Sequence, residues 1–176
     1  MTESFLGDHT DYAAEYPFFD EAAAVSAIRG YCGGHIAPSM ELSGRVGSAG
    51  GKIIRIPALN VTEVTKLALT DGTDLLDSAQ WNAAGLVELA APVEPCLSGI
   101  EYTVTAGFNP DDVPDIIAVA LQVSRRAASA PAGTVRSQSV NGASVSYAFS
   151  GSGATSVQLM QDEREILDRY RIARLP

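Results

Sequence analysis

Lysine, cysteine and long apolar runs are all scarce in this sequence. Only two of the 176 residues are lysines, Lys52 and Lys66, and no run of basic residues occurs. Binding to a phosphate backbone needs clustered Lys and Arg that release counterions, so tight, wrapped nucleic-acid binding is disfavoured. The longest apolar stretch, Ile116–Leu121, is far shorter than the roughly 18 residues that a membrane helix needs. We therefore expect no membrane contact.

The two cysteines, Cys32 and Cys96, are too few for a disulfide framework. They fit a reducing compartment, and a single bridge is the alternative. Met1–Tyr16 contains neither a basic region nor an apolar region of the kind that signal peptides have, so we expect no secretion signal. Without a secretory route, the glycosylation-type triplet that starts at Asn60 carries no functional meaning.

The composition is that of one ordinary globular domain. Apolar residues make up 46% and charged residues 19% of the chain, which excludes a mostly disordered protein. The net charge of −9 is distributed unevenly: residues 1–34 sum to −5, residues 35–115 to −7 and residues 116–176 to +3. The basic final third is suited to an acidic partner or to the acidic part of a neighbouring copy.

The periodicity predicts an α+β fold. It indicates a small helical core, made of an N-terminal, a long central and a C-terminal helix, with an inserted small antiparallel β-sheet and a β-hairpin. Asn141-Gly142 between two short β-type segments is the strongest hairpin signal. The predicted helices are Pro17–Gly30, Val113–Ala130 and Gln161–Ile172, and the predicted strands are Met40–Val46, Lys52–Ile56, Val61–Leu69, Ala79–Asn82, Leu86–Leu89, Glu101–Ala106, Val135–Val140 and Ala143–Phe149.

The same pattern divides the chain into four segments. We expect an N-terminal arm over 1–16 and a core over 17–149, in which the β-insertion occupies about 39–108. A Gly/Ser-rich hinge follows at 150–160 and an amphipathic helix at 161–176. Because the hinge separates this helix from the rest, we expect it to dock on something other than its own core.

No residue pattern indicates an active site. Cys32 and His35 have metal-like spacing, but His9 and Cys96 are the only other soft ligands. A helix end followed by a buried turn explains Cys32 and His35 better, as a nucleophile pair needs contacts that spacing does not show. We therefore predict no cofactor, no metal and no enzymatic activity, and a binding or structural role.

Other candidate motifs have ordinary structural explanations. The glycine-rich stretch Gly44–Gly51 lies between strands, so it is a hairpin tip rather than a phosphate loop, and Gly151–Ser156 lacks the following lysine. Asp111, Asp112 and Asp115 are explained by their position at a helix N-terminus, where acidic residues complement the helix dipole. Trp81 and Tyr102 are explained by packing on the predicted sheet.

Four segments, in this order, resemble the head–tail connector (adaptor) proteins of long-tailed bacteriophages, in particular the type with a β-insertion found in phages of actinobacteria. The first is IRGYCGGHIAP at Ile28–Pro38, and the second, at Tyr102–Pro131, contains YTVTAGFNPDDVP before a long helix. The third is the VRSQSVNGASVSYA hairpin, and the fourth is the terminal Ile166–Arg171. The likeness covers most of residues 20–173.

The resemblance implies a structural subunit rather than a catalyst. Such proteins form a closed ring, typically of about twelve copies, in which one face of each subunit meets a different face of the next. The ring lies beneath the portal of the filled head, extends the DNA channel, and links the head to stopper and tail proteins. DNA passes through without sequence-specific binding. The location implied is the neck of the virion, with assembly in the host cytoplasm.

The resemblance also implies two contact regions. The portal contact would involve Ile166, Leu167, Arg169, Tyr170 and Arg171. The hairpin would form a loop that faces a neighbouring subunit or the channel, with Arg136, Asn141, Gly142 and Tyr147. Two alternatives remain at this stage: another neck or tail-completion protein of a phage, and a small metal enzyme built on Cys32 and His35.

Overall fold

The computed structural model describes Phe5 and residues 21–129, 137–140, 143–146 and 158–172. In these residues no helix is long and apolar enough to cross a membrane. The helices are α1 (Glu21–Cys32), α2 (Pro114–Ser129) and α3 (Gln161–Leu167), and the strands are β1 (Met40–Ser48), β2 (Gly51–Arg55), β3 (Glu63–Leu69), β4 (Ala79–Trp81), β5 (Leu86–Val93), β6 (Cys96–Ala106), β7 (Ser137–Val140) and β8 (Ala143–Ser146).

The three helices pack around one apolar core. Helix α2 contributes the apolar stripe that its sequence predicts, including Ile116, Ala120 and Val123, all at most 1% exposed. Ile28 and Cys32 of α1 and Leu167 of α3 close the same core. Helix α1 ends at Cys32 and is followed by Gly33, whose φ of +88° lets its N–H and that of the next residue bond back to the carbonyl of Arg29. The predicted α+β class with a three-helix core is confirmed.

The β-strands between α1 and α2 form two antiparallel sheets, not the one small sheet that the sequence predicts. Their orders are β1-β6-β3 and β2-β5-β4. The chain turns from β1 into β2 of the second sheet at Gly50 and Gly51, which both have positive φ. It returns to the first sheet for β3, enters the second again for β4 and β5, and after Pro95 joins the first as β6. Ile54 and Val87 from one sheet and Leu67, Ile100 and Val104 from the other share one apolar core, so the two sheets pack face to face.

Backbone contacts join this β-insertion to the helices. Phe108 N–H donates to Ile36 O at 2.8 Å, and Gly107 N–H donates to Leu59 O at 2.8 Å. The Asn60 side-chain amide donates to Gly107 O at 2.9 Å. A Cβ at Gly107 would lie 2.7 Å from Pro38 O, so the close approach of the two chain segments requires glycine there. These contacts define the junction between the helical core and the β-insertion.

The hairpin of β7 and β8 has the predicted pairing. Val140 lies opposite Ala143 and Ser137 lies opposite Ser146, which is the register that a two-residue connection imposes. Both strands are shorter than predicted in the described residues. The predicted arm at 1–16, apart from Phe5, and the Gly/Ser-rich stretch at 150–157 lie outside the described residues.

Candidate interaction surface

The terminal segment, residues 158–172, packs on the helical core of its own chain. Leu167 is completely buried between the other two helices, and Leu159 is 9% exposed. Cys32 Sγ lies 3.7 Å from Leu167 O, and Ile172 N–H donates to Cys32 O at 2.8 Å. The expectation that this helix docks away from its own core is therefore wrong for the isolated chain, because its apolar side completes that core.

A bidentate ion pair fastens α3 to α2. Arg126 donates from its two terminal nitrogens to the Glu163 carboxylate at 2.7 and 2.9 Å, and it also donates to Gln158 O at 2.7 Å. Glu163 is 3% exposed, so water competes weakly for this pair. Its carboxylate also accepts the Met160 N–H at 2.7 Å. That bond satisfies a backbone donor where α3 begins without a Ser or Thr cap.

The exposed side of the terminal segment carries what we call the Tyr31 cluster: Tyr31, Arg164, Asp168 and Arg171. The Tyr31 hydroxyl donates to Asp168 Oδ1 at 2.6 Å, and this bond is the main cause that raises the Tyr31 pKa, followed by desolvation of Tyr31 and the charge of the Asp168 carboxylate. The Arg171 and Arg164 guanidinium carbons lie 5.3 and 6.0 Å from the ring centre, within the range of cation–π contacts. The aromatic ring and two cations thus share one exposed surface.

A second polar group lies beside this cluster, at the start of α2. Asp115 accepts hydrogen bonds from Arg169 at 2.7 Å and from the Tyr170 hydroxyl at 3.0 Å. Burial, followed by the bond to Asp115, raises the Tyr170 pKa. The Tyr170 ring meets Phe108 edge to face with centroids 5.7 Å apart. Asp115 therefore does more than complement the helix dipole, because it holds the end of the terminal segment.

The five residues predicted to dock on a portal have different surroundings. Leu167 is buried, Ile166 and Tyr170 are half-buried against the helical core, and only Arg169 and Arg171 are exposed. Leu167 thus contacts its own chain, whereas the two arginines face solvent. The four predicted hairpin residues, Arg136, Asn141, Gly142 and Tyr147, lie outside the described residues.

Sequence reasoning missed Tyr31, Asp115 and Arg126 as partners of the terminal segment. The Tyr31–Asp168 contact joins residues 137 positions apart, and no local spacing predicts such a pair. One signal was present in the sequence, since Glu163 lies on the apolar side of an otherwise amphipathic helix. A carboxylate at such a position needs a buried partner.

Cys32 and His35 contact different groups, the carbonyls of Leu167 and Pro38. Burial raises the pKa of Cys32 to about 11, so its thiol stays protonated at neutral pH. His35 Nε2 is hydrogen-bonded to Pro38 O, and burial is the main cause that lowers the His35 pKa. Within the described ranges, no group of three or more His, Cys, Asp or Glu residues could hold a metal ion.

The other sequence candidates have structural roles where they are described. Gly44 leaves room for the half-buried ring of Tyr102, whose hydroxyl would lie 2.7 Å from a Cβ at that position. Trp81 lies at the edge of the second sheet and is 40% exposed. Asp111 and Asp112 form a single 3-10 turn before α2. Gly151–Ser156 lies outside the described residues.

Comparison with known proteins gives a fold likeness only. No protein-family model and no curated protein matches the chain. A chain in the neck of a native gene transfer agent (GTA) particle, computed with C12 symmetry, is 19% identical with a TM-score of 0.51, over 99% of this chain and 92% of that chain. A chain in the neck of an empty GTA particle, computed with C6 symmetry, is 18% identical with a TM-score of 0.50, over 89% and 77%. The chain therefore shares its overall fold with chains found in the necks of GTA particles.

Proposed function

We propose that this protein is a structural subunit of the neck of a phage-like particle, and specifically a head–tail connector. In this role it forms a ring beneath the portal, extends the DNA channel and links the filled head to stopper and tail proteins. The observation that carries the proposal is the fold likeness to a chain of a C12-symmetric GTA neck along nearly the whole length of both chains. The sequence resemblance to phage connectors supports it independently.

The charge of the chain agrees with this role. A channel that DNA must traverse without adhering is best lined by acidic or neutral residues, and the chain has a net charge of −9 with only two lysines. On the outer side of the first sheet, Arg45 and Lys66 both pair with Glu101. Glu101 therefore offsets part of the positive charge that these two cations would present to a phosphate backbone.

For the portal contact we propose the exposed end of the terminal segment. Arg169 and Arg171 are largely exposed, and each pairs with a carboxylate of its own chain, Asp115 at 2.7 Å and Asp168 at 3.5 Å. Arg164 on the Tyr31 ring is a third cation, so three arginines stand against two carboxylates on this surface. Ile166, Leu167 and Tyr170 contribute indirectly, because they anchor the segment to the helical core. An acidic surface of the portal is the complement that this arrangement fits.

Reversing these two charges tests the contact. We expect Arg169→Glu with Arg171→Glu to weaken binding to the purified portal at least tenfold, because two exposed cations become anions facing an acidic partner. The measurement is a binding titration with assembled portal, followed by electron microscopy of the complex. Lys52→Glu is the matched control, since Lys52 is an exposed cation on the β-insertion.

Binding to the portal with the affinity of the wild type by the double variant would contradict the proposed contact. Failure of the wild-type chain to form a ring on the portal would contradict the connector role itself. A chain that co-purifies with finished tails but not with the portal would instead indicate a tail-completion protein.

A further inference from the structure

Strand β1 leaves one side of the first sheet open. It pairs with β6 on one side, and the described residues place no strand on the other. The carbonyls of Thr103 and Thr105 in β6 accept hydrogen bonds from β3 and from the residue before it, so the backbone groups of these two residues point away from β1. The residues opposite them, Ser43 and Glu41, therefore direct their own N–H and C=O groups outward from the sheet.

This side of the sheet, which we call the β1 edge, consists of Met40–Val46. Bulges, prolines and lysines are devices that block sheet edges, and this segment has none of them. Its apolar side is incompletely covered, since Met40 is 44% exposed and Leu42 and Val46 are only partly buried where they pack on the core of the two sheets. One more strand with an apolar face would complete the sheet here.

The β7-β8 hairpin is a pair of strands without a larger sheet. Within the described residues it pairs with neither three-stranded sheet, and an isolated two-stranded hairpin is marginally stable in water. A two-residue turn joins its first C=O to its fourth N–H, so Val140 and Ala143 bond to each other, and the pattern alternates from that pair. The residues whose backbone groups point outward are therefore four serines: Ser137, Ser139, Ser144 and Ser146.

The β1 edge and the hairpin match in backbone and in composition. Hydrogen bonds between them join outward-directed residues, so serines of the hairpin lie opposite Glu41 and Ser43. Opposite residues share a face, and the serines thus continue the polar outer face, where Ser43 Oγ lies 3.1 Å from Thr103 Oγ1. The alternate hairpin residues continue the apolar inner face, and they are Gln138, Val140, Ala143 and Val145. A shift by one residue would reverse both faces.

We infer that the β7-β8 hairpin of one copy adds to the β1 edge of the next copy, so that one continuous sheet crosses each subunit boundary. The inference rests on the proposed function, which supplies the ring. A second copy is the occupant because every copy carries a hairpin without a sheet and an edge without a strand, with matching polar and apolar faces, and the two do not pair within one chain. Contact between two unlike elements continues from copy to copy and closes into a ring.

Mixed cross-linking tests the contact and its face. In a Cys96→Ala background, chains with Ser43→Cys are mixed with chains that carry one hairpin substitution, assembled on the purified portal and oxidised. The hairpin substitutions are Ser137→Cys, Ser139→Cys, Ser144→Cys and Ser146→Cys. We expect a covalent dimer on a non-reducing gel with at least one of them, because opposite residues of paired strands lie within disulfide distance. Gln138→Cys and Val145→Cys, on the other face of the hairpin, are the matched controls and should give no dimer.

A substitution in the β1 edge provides the second measurement. Ser43→Pro removes an N–H that β1 does not use within its own sheet, and it should raise the concentration needed for half-maximal ring assembly about tenfold. Ser43→Ala keeps that N–H and should assemble like the wild type. Thermal unfolding of the two free variants should be similar, since an edge strand tolerates proline where the N–H faces solvent.

The outcomes separate this contact from the connector role. Rings without a mixed dimer at any of the four serines, or normal assembly of Ser43→Pro, would overturn the strand addition and leave the connector role intact. Dimers formed by Ser43→Cys chains alone would place two β1 edges together and overturn the choice of the hairpin. Failure of the wild-type chain to form a ring would overturn both.

Discussion

His35 illustrates how one residue makes stability depend on pH. It lies at the junction, where burial lowers its pKa below the usual value and its ring is held by Pro38 O. A histidine in the unfolded chain titrates near pH 6.5. As pH falls below that value, the unfolded state binds a proton more readily than the folded state does, so the folded state loses stability. The loss continues until pH passes the lower pKa of the folded state.

We therefore expect the free energy of unfolding to fall as the pH drops below about 6.5, and His35→Gln to reduce this dependence. Glutamine retains a side-chain N–H that can donate to Pro38 O but does not titrate. The measurement is urea unfolding at several pH values in a His9→Gln background, so that His35 is the only histidine. Equal pH dependence with and without His35 would show that another group is responsible.

At the scale of single elements, sequence periodicity correctly predicted the features that depend on contacts within one helix or strand. The alternation in Glu101–Ala106 and the apolar stripe of α2 were both correct, because each depends on a repeat within one element. The division into two sheets was not predictable in this way. It depends on which strands pair across the corners at Gly50 and Pro95, and turn residues mark a corner without specifying the partner beyond it.

Helix α3 is too short to be stable alone, so its position depends on contacts with the rest of the chain, and the ion pair with Arg126 is one of them. We expect Glu163→Ala to lower the free energy of unfolding by about 2–4 kcal/mol, since it leaves a largely buried guanidinium without its carboxylate. Urea unfolding measures the change. Glu165→Ala, at an exposed position of the same helix, is the control and should cost less than about 0.5 kcal/mol.

A double-mutant cycle separates the pair from other effects. When Arg126→Met is combined with Glu163→Ala, the summed cost should exceed the cost of the double variant, because the second substitution removes a partner that is already lost. Strictly additive costs would mean that α3 is held by its apolar contacts alone.

At the scale of the whole molecule, the fold class and the order of elements followed from the sequence, but the position of the terminal segment did not. The composition of the Gly/Ser-rich stretch before α3 indicates a hinge. Composition does not indicate on which surface the helix after that hinge packs. Leu167 reaches the core formed by residues more than forty positions away, and only tertiary packing determines such a contact.

Removal of residues 158–176 tests this placement. The sequence pattern alone predicts an intact core, whereas the structure predicts a chain less stable by about 3–5 kcal/mol, because an apolar cavity replaces Leu167 and Arg126 loses the Glu163 carboxylate. For a chain of this length that corresponds to a fall in Tm of about 10 °C. Calorimetry of the truncated and full-length chains measures it, and an unchanged Tm would refute the structural prediction.

The last described residue, Ile172, bonds to Cys32 O, and its side chain lies against Gly34, two residues after α1 ends. The exposed arginines are thus connected mechanically to the short segment that leads from α1 into the first strand. Force applied to them reaches the helices and the sheets together. A pull on these last described residues would therefore act on the two packed sheets as well as on the helices.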